Sequence, residues 1–235
     1  MYHSVTFGDK NTWNDWHLIP TSRPVIVPPP LRSQTVDIPG GFGSLDLSEA
    51  LTGYPLYDNR QDSLEFAVVN NKWSDWSIAY QTIMNYLHGK RMKMILEDDP
   101  SYYYIGRFSV EKWESGESYS TITINYDLYP YKKQLVSTSE SWVWNAFDFD
   151  YGYISEYFNM KVNGSLSVTV KTCGEPTVPV IITSASMTVM VNEKTYNLSQ
   201  GRNYITSLVA PPNVDTVYIF TGSGTVSIDY RGGVL

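Results

Sequence analysis

The stretch Tyr86-Leu-His-Gly-Lys-Arg-Met-Lys-Met-Ile-Leu-Glu-Asp-Asp-Pro-Ser-Tyr-Tyr-Tyr-Ile-Gly-Arg-Phe-Ser-Val110 holds the end of a helix and most of a hairpin. Gly89 stops the helix, with His88 and Lys90 near its negative end. Met92 to Leu96 then reads as a strand, Glu97, Asp98, Asp99 and Pro100 as a turn, and Tyr102 to Trp113 as the returning strand. Upstream, Ser74 is a good N-cap, Asp75 sits in the first turn, and Trp76, Tyr80, Ile83 and Leu87 recur along one face. This predicts one helix over residues 74–88. Leu64, Phe66 and Val68 alternate with Glu65 and Ala67 in a strand from Ser63 to Asn70. From Ser120 to Leu128, Ile122, Ile124, Tyr126 and Leu128 alternate with Thr121, Thr123, Asn125 and Asp127, so one face is core and the other wet.

The composition agrees with an all-β chain carrying little helix. Nineteen Tyr, eight Phe and seven Trp favour pleated, half-buried surfaces, and thirteen Pro with sixteen Gly supply turns. Residues 21–40 hold five of the prolines, including Pro28-Pro29-Pro30, and predict an extended, irregular arm. A first domain spans residues 1–133. Beyond it, residues 134–235 open on an aromatic and acidic strap at 142–153. Short strands follow at Ser165–Lys171, Val178–Thr183, Ala185–Val191, Lys194–Leu198, Asn203–Leu208, Thr216–Thr221 and Gly224–Tyr230. Seven short strands separated by Gly, Asn and Pro turns predict a β-sandwich.

Charge and cysteine content narrow the function. Residues 1–131 hold ten Lys and Arg against sixteen Asp and Glu (−6), and the rest seven against eight (−1), so a phosphate backbone is repelled rather than bound. Cys173 is the single cysteine and reads as a packed thiol, with neither a disulfide nor a zinc cluster implied. The N-terminus Met1-Tyr-His-Ser-Val-Thr-Phe-Gly-Asp9 lacks the basic start and apolar core of a secretory signal. Apolar runs such as Val178-Pro-Val-Ile-Ile182 are far below the roughly 18 residues of a membrane span, so a soluble protein made in a cytoplasm is expected.

Four features invite a chemical reading, and each has a plainer one. Glu97, Asp98 and Asp99 are adjacent carboxylates, but they lack the alternating spacing and glycine wrap of a cation loop and suit a turn instead. Gly40-Gly41-Phe42-Gly43 lacks both the phosphate-loop spacing and a following Lys-Ser or Lys-Thr, so positive φ or close backbone approach explains it better. His3, His17 and His88 fall on different elements without general-base partners, and no enzyme, metal or cofactor is predicted. Tyr102, Tyr103 and Tyr104, with Trp142, Trp144, Phe147, Phe149, Tyr151 and Tyr153 of the strap, suit a core, a subunit interface or a sugar-stacking platform.

Three stretches together resemble one family. They are Ser4-Val-Thr-Phe-Gly-Asp-Lys-Asn-Thr-Trp13, the Gly-rich run from Val36 to Arg60, and Tyr86 to Val110, supported by the strap and by the ending Gly222-Ser-Gly-Thr-Val-Ser-Ile-Asp-Tyr-Arg231-Gly-Gly. This combination is similar to the distal tail proteins of long-tailed phages, or prophages, of Gram-positive bacteria. The resemblance implies two β-sandwich domains, mainly β throughout. The N-terminal one is tail-tube-like, carries the single helix and closes into a homo-hexameric ring. The C-terminal one is galectin-like, similar to carbohydrate modules, and stands outside the ring.

In that family the ring is a virion structural protein of the tail tip and baseplate. It joins the tail-tube protein to the tail-associated hub protein, supports receptor-binding proteins during host attachment, and lets DNA pass its lumen without specific binding. The resemblance further implies that Asp37, Pro39, Gly40, Gly43, Asp46, Leu47, Glu49, Leu51, Gly53, Gly89, Lys90, Glu97, Tyr104 and Gly106 form the ring domain's structural framework. Some members carry an extra sugar-binding module in the C-terminal half, for which this chain has no room. The rival reading is a small carbohydrate-binding adhesion module that uses the strap as its platform.

Overall fold

The computed structural model describes residues 2–68, 73–115, 120–140 and 157–235, the side chains of 73–76 and 115 aside. Chain contacts divide it into two compact units, Met1–Lys132 and Lys133–Leu235. Both are mainly β. The expected strap at 142–153, and with it Trp142, Trp144, Phe147, Phe149, Tyr151 and Tyr153, lies outside the described residues, as do the side chains of Ser74, Asp75 and Trp76.

The first unit contains β1 (Val5–Phe7), β2 (Lys10–Asn11), β3 (Leu18–Pro20), β4 (Thr35–Asp37), β5 (Ser44–Asp46), β6 (Arg60–Val68), α1 (Trp73–Leu87), β7 (Arg91–Leu96), β8 (Asp99–Ser115) and β9 (Ser120–Leu128). Seven of these strands hydrogen-bond in the order β2-β1-β7-β8-β9-β6-β3, while β4 and β5 pair only with each other. The β9 alternation appears from Ile122 onward, with Ile122, Ile124, Tyr126 and Leu128 buried and Thr123, Asn125 and Asp127 only partly so, whereas Thr121, expected on the wet face, is buried at the start of the strand. Those side chains meet Leu64, Phe66 and Val68 of β6 and Phe108 of β8 in one core. Phe7 packs its ring edge against Phe108 at 5.0 Å.

Helix α1 lies against β8 through Ile83 and Leu87, both fully buried, with Tyr80 edge-on to Trp113 at 5.0 Å. It stops where Gly89 adopts a positive φ of 74°. Near its end Lys90 donates its ammonium to Asn85 O at 2.8 Å, and just beyond it the Arg107 guanidinium donates to Gly89 O. His88 Nδ1 accepts the Val110 N–H at 3.2 Å. The acidic turn is also tighter than expected. Leu96 pairs with Asp99, leaving Glu97 and Asp98 as the loop and drawing Asp99 and Pro100 into β8.

After β10 (Lys132–Gln134), the second unit contains β11 (Met160–Val170), β12 (Val180–Thr183), β13 (Met187–Val191), β14 (Lys194–Leu198), β15 (Gly201–Tyr204), β16 (Thr216–Asp229) and β17 (Gly233–Val234). Its six-stranded sheet runs β14-β13-β16-β12-β15, with β11 on the other edge of β16. The two strands expected at Thr216–Thr221 and Gly224–Tyr230 are therefore one. Along β16, β13 pairs with residues 218–221 and β12 with residues 226–229, while β11 pairs with both halves.

A bend at Gly222 and Gly224, with φ of 151° and 141°, separates the two halves. A Cβ on Gly222 would lie 2.7 Å from Met187 Cβ, and Gly164 stands directly opposite it on β11. The glycines turn a single sheet on itself, so Val162, Phe220, Val226 and Ile228 share one core.

Candidate functional site

The chain between β3 and β6 leaves the core. Its root is anchored by Arg60, a buried side chain whose Nε donates to Pro130 O at 2.7 Å and whose Nη1 donates to Val27 O at 2.9 Å. Burial pushes the Arg60 pKa down, and Tyr104, beneath the guanidinium at 5.8 Å from its ring centre, opposes that shift. Beyond the root the two arms of the excursion are stapled. Arg32 N–H donates to Leu56 O at 2.8 Å, Asp58 N–H donates to Pro30 O at 2.9 Å, and Arg32 pairs with Asp58 through their side chains.

What projects beyond the staple is a hairpin exposed on both sides; every residue from 31 to 47 is exposed. Register puts Thr35 opposite Asp46, Val36 opposite Leu45 and Asp37 opposite Ser44. Alternation then gives one polar, acidic face with Thr35, Asp37, Ser44 and Asp46, and one apolar face with Val36 and Leu45. Gly40 and Gly43 carry the tip at φ of 79° and 75°, and between them Phe42 is fully exposed. Asp46 closes the base of β5 by accepting from the Ser48 side chain and N–H, which holds its carboxyl below the usual range. A turn follows in which Gly53 N–H donates to Glu49 O, Gly53 has positive φ, and Leu51 is 97% exposed. A two-stranded ribbon with an uncovered apolar face is marginal in water and gains stability only by being covered.

The residues singled out from the sequence fall into two places. Asp37, Pro39, Gly40, Gly43, Asp46, Leu47, Glu49, Leu51 and Gly53 are all on this arm. Gly89, Lys90, Glu97, Tyr104 and Gly106 lie instead in the sheet and at its junction with the helix: Tyr104 under Arg60, Gly89 N–H on Phe108 O, and Glu97 accepting the Ser4 N–H at 2.7 Å. The arm expected at residues 21–40 thus extends to Tyr57. The Gly-rich run and the alternation of Leu45 and Leu47 carried the signal, but a staple between Pro30 and Asp58 has no local signature.

The features weighed for chemistry have structural partners. Asp98 is held by His3 Nδ1 at 2.8 Å and Arg23 Nε at 2.8 Å, and Asp99 by Lys132 Nζ at 2.6 Å, so the adjacent carboxylates point to separate places. Among the described residues no three His, Cys, Asp or Glu side chains converge as metal ligands. The Gly40–Gly43 run is a hairpin tip and precedes a strand, not a helix. Tyr102, Tyr103 and Tyr104 are all buried. Cys173 is half-buried, and burial with Glu175 nearby pushes its thiol pKa up. No helix among the described residues is long and apolar enough to cross a membrane.

No family model matches this chain, and no curated protein matches it significantly. Among solved structures it is similar to the crystal structure of the Dit protein (gp 19.1) of SPP1, described as a paradigm of the hub adsorption apparatus in phages infecting Gram-positive bacteria. The two align with a TM-score of 0.65 over 99% of each chain at 15% identity. At that identity the likeness concerns the fold, and it includes both units: the chain is Dit-like in fold from end to end.

Proposed function

We propose that this protein is a structural hub of a phage tail tip. Six copies form a ring through the first unit, with the tail tube on one side and the tail-associated hub protein on the other. The second unit stands outside and supports receptor-binding proteins. The observation that carries this reading is the exposed arm, set on a chain that is Dit-like throughout. A ribbon whose apolar face is held away from its own core, stapled at its base and rooted on a buried arginine, is built to be covered by another protein surface. The excess of acidic residues in the first 131 positions suits a lumen through which DNA passes without being held. The role is one of assembly, and it needs no catalytic group.

Negative-stain images of the purified protein test it, with sixfold rings and a central lumen expected. Replacing residues 34–54 with a short turn is expected to leave the melting temperature nearly unchanged and to abolish the rings. Intact protein that stays monomeric at every concentration, alone and with its tail-tube partner, would remove the reading.

A further inference from the structure

Given the ring reading above, we propose that the arm of one copy seats on the outer face of β7 and β8 in the next copy, with the arm's carboxylates against a cluster of three cations. In the β7–β8 ladder Arg91 stands opposite Arg107, and Lys93 opposite Ile105. Met94 and Tyr104, one residue out of phase, are buried, so the cations share the outward face. All three are exposed, and among the described residues none makes an ion pair with a carboxylate. Arg107 donates to a backbone carbonyl, that of Gly89, and the Lys93 ammonium sits over the Tyr103 ring at 4.6 Å. Asp127, across from Arg107 on β9, already accepts from Asn59 at 2.7 Å.

Like charges directly opposite each other in a ladder are destabilising, and Arg91 with Arg107 is such a pair. A ladder that keeps them has its cost offset when an anion arrives. Beside the cations, Ile95 and Ile105 are only partly covered, so the occupant this face fits is acidic and apolar together. The arm has that composition. Between Arg32 and Arg60 the chain has no Lys or Arg, and its exposed side chains include Asp37 on the ribbon's polar face, Val36 on the opposite face, Phe42 at the tip, and Glu49 and Leu51 in the turn that follows. Within one copy the arm is uncovered, so the charge match is satisfied between copies.

Charge reversal tests the seat on the full-length protein. Three forms are compared with the wild type by sedimentation: R91E/K93E, D37K/E49K, and all four changes together, each checked by circular dichroism for an unchanged fold. Each double reversal is expected to raise the midpoint concentration for ring formation by roughly tenfold or more, and the fourfold change to bring it back within about threefold of wild type. Rings that survive R91E/K93E, or that are lost in both doubles and not restored in the combination, overturn the seat while leaving the ring itself standing. A wild type that never associates overturns both.

Discussion

Gly106 of β8 faces Leu128 of β9 so closely that a Cβ on Gly106 would lie 2.7 Å from the Leu128 Cα, and nearer still to the Asp127 carbonyl oxygen. The close approach is backbone against backbone, so no side-chain rotation relieves it. Gly106→Ala is expected to destabilise the first unit by about 3 kcal/mol, at the upper end of overpacking costs. Urea denaturation followed by tryptophan fluorescence measures it, and a loss below about 1 kcal/mol would show that the two strands part easily.

Ile83 sets the position of the helix. It is fully buried against β8, whereas Gln81 is exposed. Ile83→Ala is expected to cost roughly 2 to 5 kcal/mol and Gln81→Ala under about 0.5 kcal/mol in the same denaturation experiment. Equal costs would contradict the orientation of α1.

Tyr218 is fully buried, and among the described residues its hydroxyl has no hydrogen-bond partner. Burial, with a smaller contribution from Tyr196, pushes its pKa up to about 12. A folded pKa above the unfolded value of roughly 10 means that the stability is fully present below pH 10 and is lost as the pH rises through 12. Two pH units correspond to a loss of about 2 to 3 kcal/mol. Tyr218→Phe is expected to be near neutral at pH 7 and to remove most of this alkaline loss, read from melting temperatures between pH 9 and 12.

Asp98 ties the N-terminus and the start of the arm to the tip of the β7–β8 hairpin. Its carboxyl pKa lies below the usual value, first because of the His3 hydrogen bond and then because of Arg23. A depressed folded pKa contributes stability that is present above the unfolded value of about 3.9 and is lost as the pH falls through the folded one. Asp98→Asn is expected to cost under about 1 kcal/mol at pH 7, because Arg23 is mostly exposed, and to flatten the stability profile below pH 4. An unchanged acid limb in thermal melts would show that the clasp does not form in solution.

The sequence by itself determined the elements whose signals are local. The period-two pattern from Ile122 to Leu128, the 3.6-residue recurrence of Tyr80, Ile83 and Leu87, and the helix stop at Gly89 follow from side-chain alternation and backbone freedom within a few residues, and each is where it was read. The mainly β class follows from the same patterns. Only the tertiary structure decided what depends on partners distant in the chain. Gly222 and Gly224 looked like the end of one strand and the start of another, because a glycine pair marks a break and a bend alike; the ladder from β11 runs through both, so β16 bends without breaking. The staple of Arg32 to Asp58 and the burial of Arg60 beneath Pro130 and Val27 extended the arm to Tyr57, and the cross-strand pairing of Arg91 with Arg107 exists only through the β7–β8 register. Hydrophobic periodicity fixes which face of a segment is buried, whereas register and loop closure are set by contacts that no local window contains.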